Sequence, residues 1–243
     1  MGRWIHDRGF VASTDGNISV RLGADRILTT PTCMSKGMIA PEDLVITDLS
    51  GRPLCGCRKA SSEIGMHLLI YRLRPDVNAV CHAHPPTATG FAAAGIALDK
   101  PILCELVIGL GRVPVASYGT PGTPELSDSI EPYVPEHDAI LMANHGVVTY
   151  GPDLLTAFLR METTEHFAHV ALVTQLLGKQ QLLSSSDVEK LVSARARYAA
   201  GSSAPAAGLP AHPNGNSAER VSLTRHELDS LIDEAVQRDR AHR

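Results

Sequence analysis

Residues 61–72 (SSEIGMHLLIYR) and 79–84 (AVCHAH) decide the fold class. In the first stretch Ile64, Leu68 and Tyr71 share one helical stripe, with Met66, Leu69 and Ile70 beside it. The Ser-Ser-Glu start suits a helix N-terminus. The second stretch is a short apolar, β-branched run bounded by turn residues, the pattern of a buried strand. The same reading gives strands at 27–30 (ILTT), 44–48 (LVITD) and 139–143 (AILMA), and a long helix over 154–177. Strands alternate with helices, so a layered α/β domain is expected, without a fixed strand order. There is no internal repeat.

The wider composition agrees. At 243 residues the chain has room for about 1.6 average domains. It is 44% hydrophobic and 20% charged, which excludes a disordered or fibrous chain. With 22 Lys and Arg against 26 Asp and Glu, it has no overall basic field for nucleic acid. No apolar run reaches membrane-spanning length, and residues 1–10 (MGRWIHDRGF) lack a signal-peptide core, so residence in the cytoplasm is expected. The five cysteines (Cys33, Cys55, Cys57, Cys81 and Cys104) lack paired C-x-x-C spacing and read as reduced thiols. Cys55-Gly56-Cys57 is either a metal or redox pair or an incidental one.

Composition changes after Tyr198. A folded domain is expected over 1–200, then an Ala/Pro/Gly/Ser linker over 201–219 and an amphipathic helix over 220–243. In that last segment Thr224 and Glu227 have capping-box spacing, Leu223 and Leu228 could form a hydrophobic staple, and Leu228, Leu231, Ile232, Ala235 and Val236 share a face. A lone helix of that length is marginal in water, so the face needs a partner or docks on its own domain.

Histidines carry the chemistry. Alternate strand residues point the same way, so His82 and His84 can face one ion, although an isolated H-x-H can equally be two unrelated side chains. His145 follows the AILM strand at a glycine turn, a frequent address for functional side chains. Three His ligands leave an open coordination position, the catalytic pattern. Glu63 at the helix start is either a ligand or base or a first-turn helix stabiliser. The segments 15–19 (DGNIS), Thr30 to Thr32, Ser35-Lys36-Gly37 and Ser61-Ser62 offer a glycine turn, hydroxyls, one cation and helix-start N–H groups. Together these suit phosphate; singly they suit N-caps.

The ordered set DGNIS, TPTCMSKG, SSEIGMH, HAHP, SYGTPGTPEL and ANHGVV, spread over about residues 5–180, resembles the class II aldolase/adducin family, L-fuculose-1-phosphate aldolase type. The resemblance implies a three-layer α/β/α fold with a central, mainly antiparallel sheet, and a C4 homotetramer with active sites between subunits. It implies one Zn2+ per subunit on His82, His84 and His145, with Glu63 as a further ligand that becomes the base when substrate binds. Gly16, Asn17, Gly37, Ser61 and Ser62 match phosphate-holding positions. Tyr118 matches a tyrosine acting as acid across the subunit boundary; read by itself, it is a structural aromatic before a turn. Relative to the family, the segment before the glycine turn is short, and the C-terminal residues that close some aldolase pockets have no counterpart.

The implied reaction is cleavage of a ketose 1-phosphate to dihydroxyacetone phosphate and an aldehyde through a metal-stabilised enediolate. Sugar-phosphate dehydratases and 4-epimerases share the fold; epimerases usually carry Asp-Pro where this chain has Glu63-Ile64. A non-catalytic metal-binding scaffold would be expected to lack the histidines or Glu63. The tail at 220–243 resembles the encapsulation peptides that carry enzymes into bacterial microcompartments by binding a shell protein.

Overall fold

The structure, a computed structural model, describes residues 1–198. The expected linker at 201–219 and the helix at 220–243, with its capping box, lie outside the described residues. In chain order the elements are α1 (Gly2–Asp7), β1 (Asn17–Leu22), β2 (Arg26–Thr29), β3 (Val45–Asp48), β4 (Pro53–Cys55), α2 (Ile64–Leu73) and β5 (Ala79–Ala83). There follow α3 (Pro86–Ala93), α4 (Cys104–Gly109), β6 (Val115–Ala116), α5 (Pro124–Ile130), β7 (Ala139–Met142), β8 (Gly146–Gly151), α6 (Leu154–Leu176) and α7 (Ser185–Tyr198). The eight strands form one sheet in the order β4-β3-β2-β1-β5-β8-β7-β6, antiparallel except for the β6–β7 pair. A mixed α/β fold with a mainly antiparallel sheet is thus as expected.

The sheet's period-two alternation sorts its side chains into two cores. Ala79, Cys81 and Ala83 of β5, Ala139 and Leu141 of β7 and Val147 of β8 pack with Phe91 of α3, Leu106 of α4 and Met161 of α6. Val80, Ile140, Met142, Val148 and Tyr150, which point the other way, pack with Met66, Leu69 and Ile70 of α2 and Leu126 and Ile130 of α5. Both faces of the central strands are covered, which is why all five β5 residues are buried and why that run reads as continuous apolar sequence. Fully burying each large aliphatic side chain contributes about 1.5–3 kcal/mol.

The structure departs from the sequence expectations at several places. Residues 17–22 are strand β1 rather than part of a glycine turn, and residues 146–151 are the fully buried strand β8. Strand β1 carries Asn17 and Ser19 on its helix-facing side, so it lacks the apolar run that signals a buried strand. Helix α2 begins at Ile64, not Ser61, with Glu63 as the N-cap residue. The long helix is found over Leu154–Leu176, capped by Asp153, whose carboxylate accepts from the Thr156 N–H at 2.8 Å. Among the described residues no helix is long and apolar enough to cross a membrane. The five cysteines are free thiols; Cys81 is buried and the other four are exposed.

Candidate active site

Strand register builds the site. Strand β5 ends at Ala83, so His82 is its penultimate residue and His84 lies just beyond, both on the side facing α2. Antiparallel pairing sets Asn17 of β1 opposite His82, and Val148 of β8 on its other side. The tight β7–β8 turn carries His145, where Asn144 takes a left-handed φ of 56°, a conformation that asparagine tolerates better than most residues. These three elements bring His82, His84 and His145 into one cluster, with ring centroids 4.7–5.1 Å apart. One ligand nitrogen from each can be chosen so that all lie within 4.8 Å of one another.

The close approach depends on Gly146. A Cβ there would lie 2.5 Å from the His84 ring and 2.7 Å from the Ala83 carbonyl oxygen. Gly16 does the same from β1's side: at φ +71° it packs where a Cβ would meet Val11 and the His82 carbonyl oxygen at 2.6 and 2.7 Å. Its first physical role is therefore to seat the backbone beside His82.

Glu63 enters from the start of α2. Its carboxylate makes no capping bond to the helix, so it is not a first-turn stabiliser in the usual way. It turns instead to the histidines, with Oε2 3.4 Å from His82 Nε2 and Oε1 3.1 Å from His145 Nε2. Oε2 also accepts from Asn17 Nδ2 at 2.6 Å. Burial opposes ionisation of Glu63, but His82, His145 and the Asn17 donor outweigh it and hold the carboxyl well below the usual carboxylate range. Burial also pushes His82 and His84 down, so both rings are neutral near pH 7 with a lone pair to offer.

This donor set fits a metal ion. His82 Nδ1 is occupied by the Val147 carbonyl oxygen at 2.9 Å and His84 Nδ1 lies 3.5 Å from Asp15, so each ring turns Nε2 inward. Backbone carbonyls and carboxylates are the usual outer partners of metal-binding histidines. The two inward nitrogens are 3.2 Å apart, and buried Glu63 Oε1 has His145 Nε2 beside it at 3.1 Å but no well-aligned hydrogen bond among the described residues. A cation would satisfy lone pairs that otherwise face one another.

The other expected residues are placed less uniformly. Ser61 is buried and its Oγ accepts from the Glu63 N–H at 3.2 Å, whereas Ser62 is exposed at the helix entrance. Gly37 packs against the His6 ring. Lys36, expected as a free cation for an anion, is corrected: it is buried and its Nζ donates to the carbonyls of Thr14 and Met34, so it clasps its loop. Tyr118, just past β6, is 58% exposed and shares no hydrogen bond or ring contact with the histidines among the described residues. Cys55 and Cys57 do not join the cluster.

Sequence reading missed His67, Ser19 and Tyr71. Ser19 Oγ lies 2.7 Å from His67 Nδ1 and 2.8 Å from the Tyr71 hydroxyl, and His67 Nε2 lies 2.5 Å from Asn17 Oδ1. Burial lowers the His67 pKa to about 4, Glu63 opposing it, so that ring is neutral. The available signal was Glu63, His67 and Tyr71 at i, i+4 and i+8, a single face of α2.

The chain as a whole is similar to known proteins. The class II aldolase and adducin N-terminal domain profile matches residues 1–172. An L-fuculose phosphate aldolase from Methanococcus maripaludis is 34% identical over 168 residues, 69% of this chain and 90% of that protein. A 3-oxo-tetronate 4-phosphate decarboxylase from Haemophilus influenzae is 33% identical, covering 78% of this chain and 90% of its own. A solved structure of an L-fuculose 1-phosphate aldolase superposes with a TM-score of 0.73 at 30% identity, covering 78% of this chain and 90% of its own.

Proposed function

This chain belongs to the class II aldolase and adducin N-terminal domain family and is an aldolase-type enzyme; we propose that its substrate is a ketose 1-phosphate, cleaved to dihydroxyacetone phosphate and an aldehyde. The observation that carries the reading is the ionised Glu63 carboxylate set among three imidazoles, beside a helix start with Ser61 and Ser62. His82, His84 and His145 would hold one divalent ion, Zn2+ by the chemistry of three imidazole donors, with Glu63 completing the set until substrate arrives. When bound, the ion supplies Lewis-acid stabilisation of negative charge on the substrate oxygens.

The chain's own residues move the protons. In the condensing direction Glu63 takes a proton from the carbon beside the carbonyl of dihydroxyacetone phosphate, and the freed electron pair attacks the aldehyde carbon. Tyr118 delivers a proton to the aldehyde oxygen, and cleavage reverses each step. Gly16, Gly37, Ser61, Ser62 and the second N–H of Asn17 would hold the phosphate. The exposure of Tyr118 supports completion of the site by another subunit of a homotetramer, in the three-layer α/β/α fold the resemblance implies. A cytoplasmic enzyme delivered to a microcompartment shell by residues 220–243 is part of the same reading.

A second reading is favoured by the decarboxylase relative. Loss of carbon dioxide from a 3-oxo acid also leaves an electron pair beside a carbonyl, so the same metal set and proton carrier would serve. The test is to incubate the zinc-loaded protein separately with ketose 1-phosphates, measuring dihydroxyacetone phosphate, and with 3-oxo-tetronate 4-phosphate, measuring carbon dioxide, because loss of carbon dioxide from that acid also leaves dihydroxyacetone phosphate. Release of dihydroxyacetone phosphate, falling about 10²-fold or more in Glu63→Gln, is expected. Carbon dioxide from that acid without cleavage of any ketose 1-phosphate would replace the aldolase reading with decarboxylation, and neither reaction would overturn both.

A further inference from the structure

We propose that His67 is a positioning residue for Glu63: it anchors the Asn17 amide so that the N–H, and not the carbonyl, of Asn17 faces the carboxylate. The inference rests on Glu63 acting as the base of the proposed reaction.

The bonds form one chain. Tyr71 Oη is 2.8 Å from Ser19 Oγ, Ser19 Oγ is 2.7 Å from His67 Nδ1, His67 Nε2 is 2.5 Å from Asn17 Oδ1, and Asn17 Nδ2 is 2.6 Å from Glu63 Oε2. Only one direction is consistent with the donor inventory of these groups. A carboxylate can only accept, so Asn17 presents its NH2 to Glu63. Its carbonyl then faces His67, which must donate from Nε2. The neutral ring's Nδ1 must therefore accept, and Ser19 gives it the hydroxyl proton. Ser19 in turn accepts from Tyr71.

An amide without that anchor has two nearly isosteric orientations, and the wrong one sets a carbonyl oxygen 2.6 Å from a carboxylate oxygen. His67 decides between them. Asn17, Ser19, His67 and Tyr71 are each at most 4% exposed, so no bulk water replaces a missing link. The links are correspondingly strong, and costly to leave unmade.

The geometry distinguishes two substitutions. Glutamine can place a donor near the position of Nε2 and keep the bond to Asn17, whereas asparagine can replace only Nδ1 and keeps the bond to Ser19. The experiment follows exchange of the carbon-bound protons of dihydroxyacetone phosphate in heavy water by zinc-loaded wild type, His67→Gln and His67→Asn, with thermal midpoints measured alongside. His67→Gln is expected within about fivefold of wild type in kcat and His67→Asn about 10- to 100-fold below it, the range for a hydrogen bond to a charged group. Equal exchange by the two variants would overturn the proposal, as would losses that follow the thermal midpoint alone. Nitrogen NMR of the wild type gives a readout that needs no variant to fold: a neutral Nε2–H tautomer at His67 is expected, and an Nδ1–H tautomer or an imidazolium at pH 7 overturns the chain. A wild-type protein without any exchange overturns the aldolase reading itself, and is distinguishable from wild-type exchange that His67→Asn leaves intact.

Discussion

Gly146→Ala should loosen the histidine cluster without touching a ligand. The added methyl would stand 2.5 Å from His84 Cδ2 and 2.7 Å from the Ala83 carbonyl oxygen, where ordinary contact begins at 3.4 Å. The gap must open by roughly an ångström, well beyond the ~0.2 Å tolerance of metal–ligand distances. The oxygen belongs to backbone in the β5–β8 pairing, with Ala83 opposite Val147, so the His84 ring is the part free to move. Overpacking of this kind costs about 1–3 kcal/mol, against about 0.4–1 kcal/mol gained from a stiffer unfolded chain. The net destabilisation, about 1.3 kcal/mol at mid-range and at most about 2.6, corresponds to about 3–5 °C at mid-range and at most about 10 °C in the thermal midpoint. Zinc affinity should fall about 10- to 100-fold, the range seen when a metal ligand loses its orientation. Competition with a chromophoric chelator measures the affinity, and circular dichroism of the metal-free protein measures the midpoint. Gly90→Ala is the control: Gly90 lies inside α3, a Cβ there meets nothing within 4 Å, and the change should stabilise by about 0.5–1 kcal/mol. If Gly146→Ala matched Gly90→Ala in both measurements, the close approach at β8 would not be what holds His84.

Three further outcomes are expected. His84→Ala should leave the protein folded but strip most of its zinc on gel filtration, since two imidazoles and a carboxylate do not reproduce the three-histidine set; full occupancy with unchanged activity would remove His84 from the site. The metal-free protein should lose stability as pH falls from about 6.5 to 4, because the unfolded chain then protonates His67 at its ordinary pKa of 6.5 while the buried ring resists to about 4. The contribution is present above pH 6.5 and amounts to about 3 kcal/mol, so His67→Gln should flatten that part of a urea-midpoint profile; identical profiles would contradict a neutral buried ring. Deleting residues 220–243 should leave cleavage unchanged, and the segment fused to a fluorescent reporter should concentrate in cells making a microcompartment shell; a diffuse reporter, or an unfolded truncated enzyme, would assign the tail to the protein's own structure.

Strands β5 and β7 were legible because both of their faces are covered and their sequences carry no polar residue except the one with chemistry, His82. Strand β1 was not, because Asn17 and Ser19 are polar side chains on a covered face and look like loop residues until their partners on α2 are known. The ligand candidates were legible for the opposite reason: His82, His84, His145 and Glu63 are residue types that seldom gather without chemistry. His67 is the same type, but alone on an apolar helix it reads as a core residue. Its partners lie 48 and 50 residues away in the sequence, at Ser19 and Asn17. Only strand order and register make them neighbours, since pairing Asn17 with His82 puts Ser19 opposite Val80 and under α2. Asn17 shows what this adds to a motif. The motif gives it one partner, the phosphate, whereas the fold commits its carbonyl to His67 and one N–H to Glu63. The remaining N–H would connect phosphate and base through a single side chain, so a substitution at Asn17 should move KM and kcat together, and His67→Asn, which frees the same amide to flip, should move them in the same direction while His67→Gln does not.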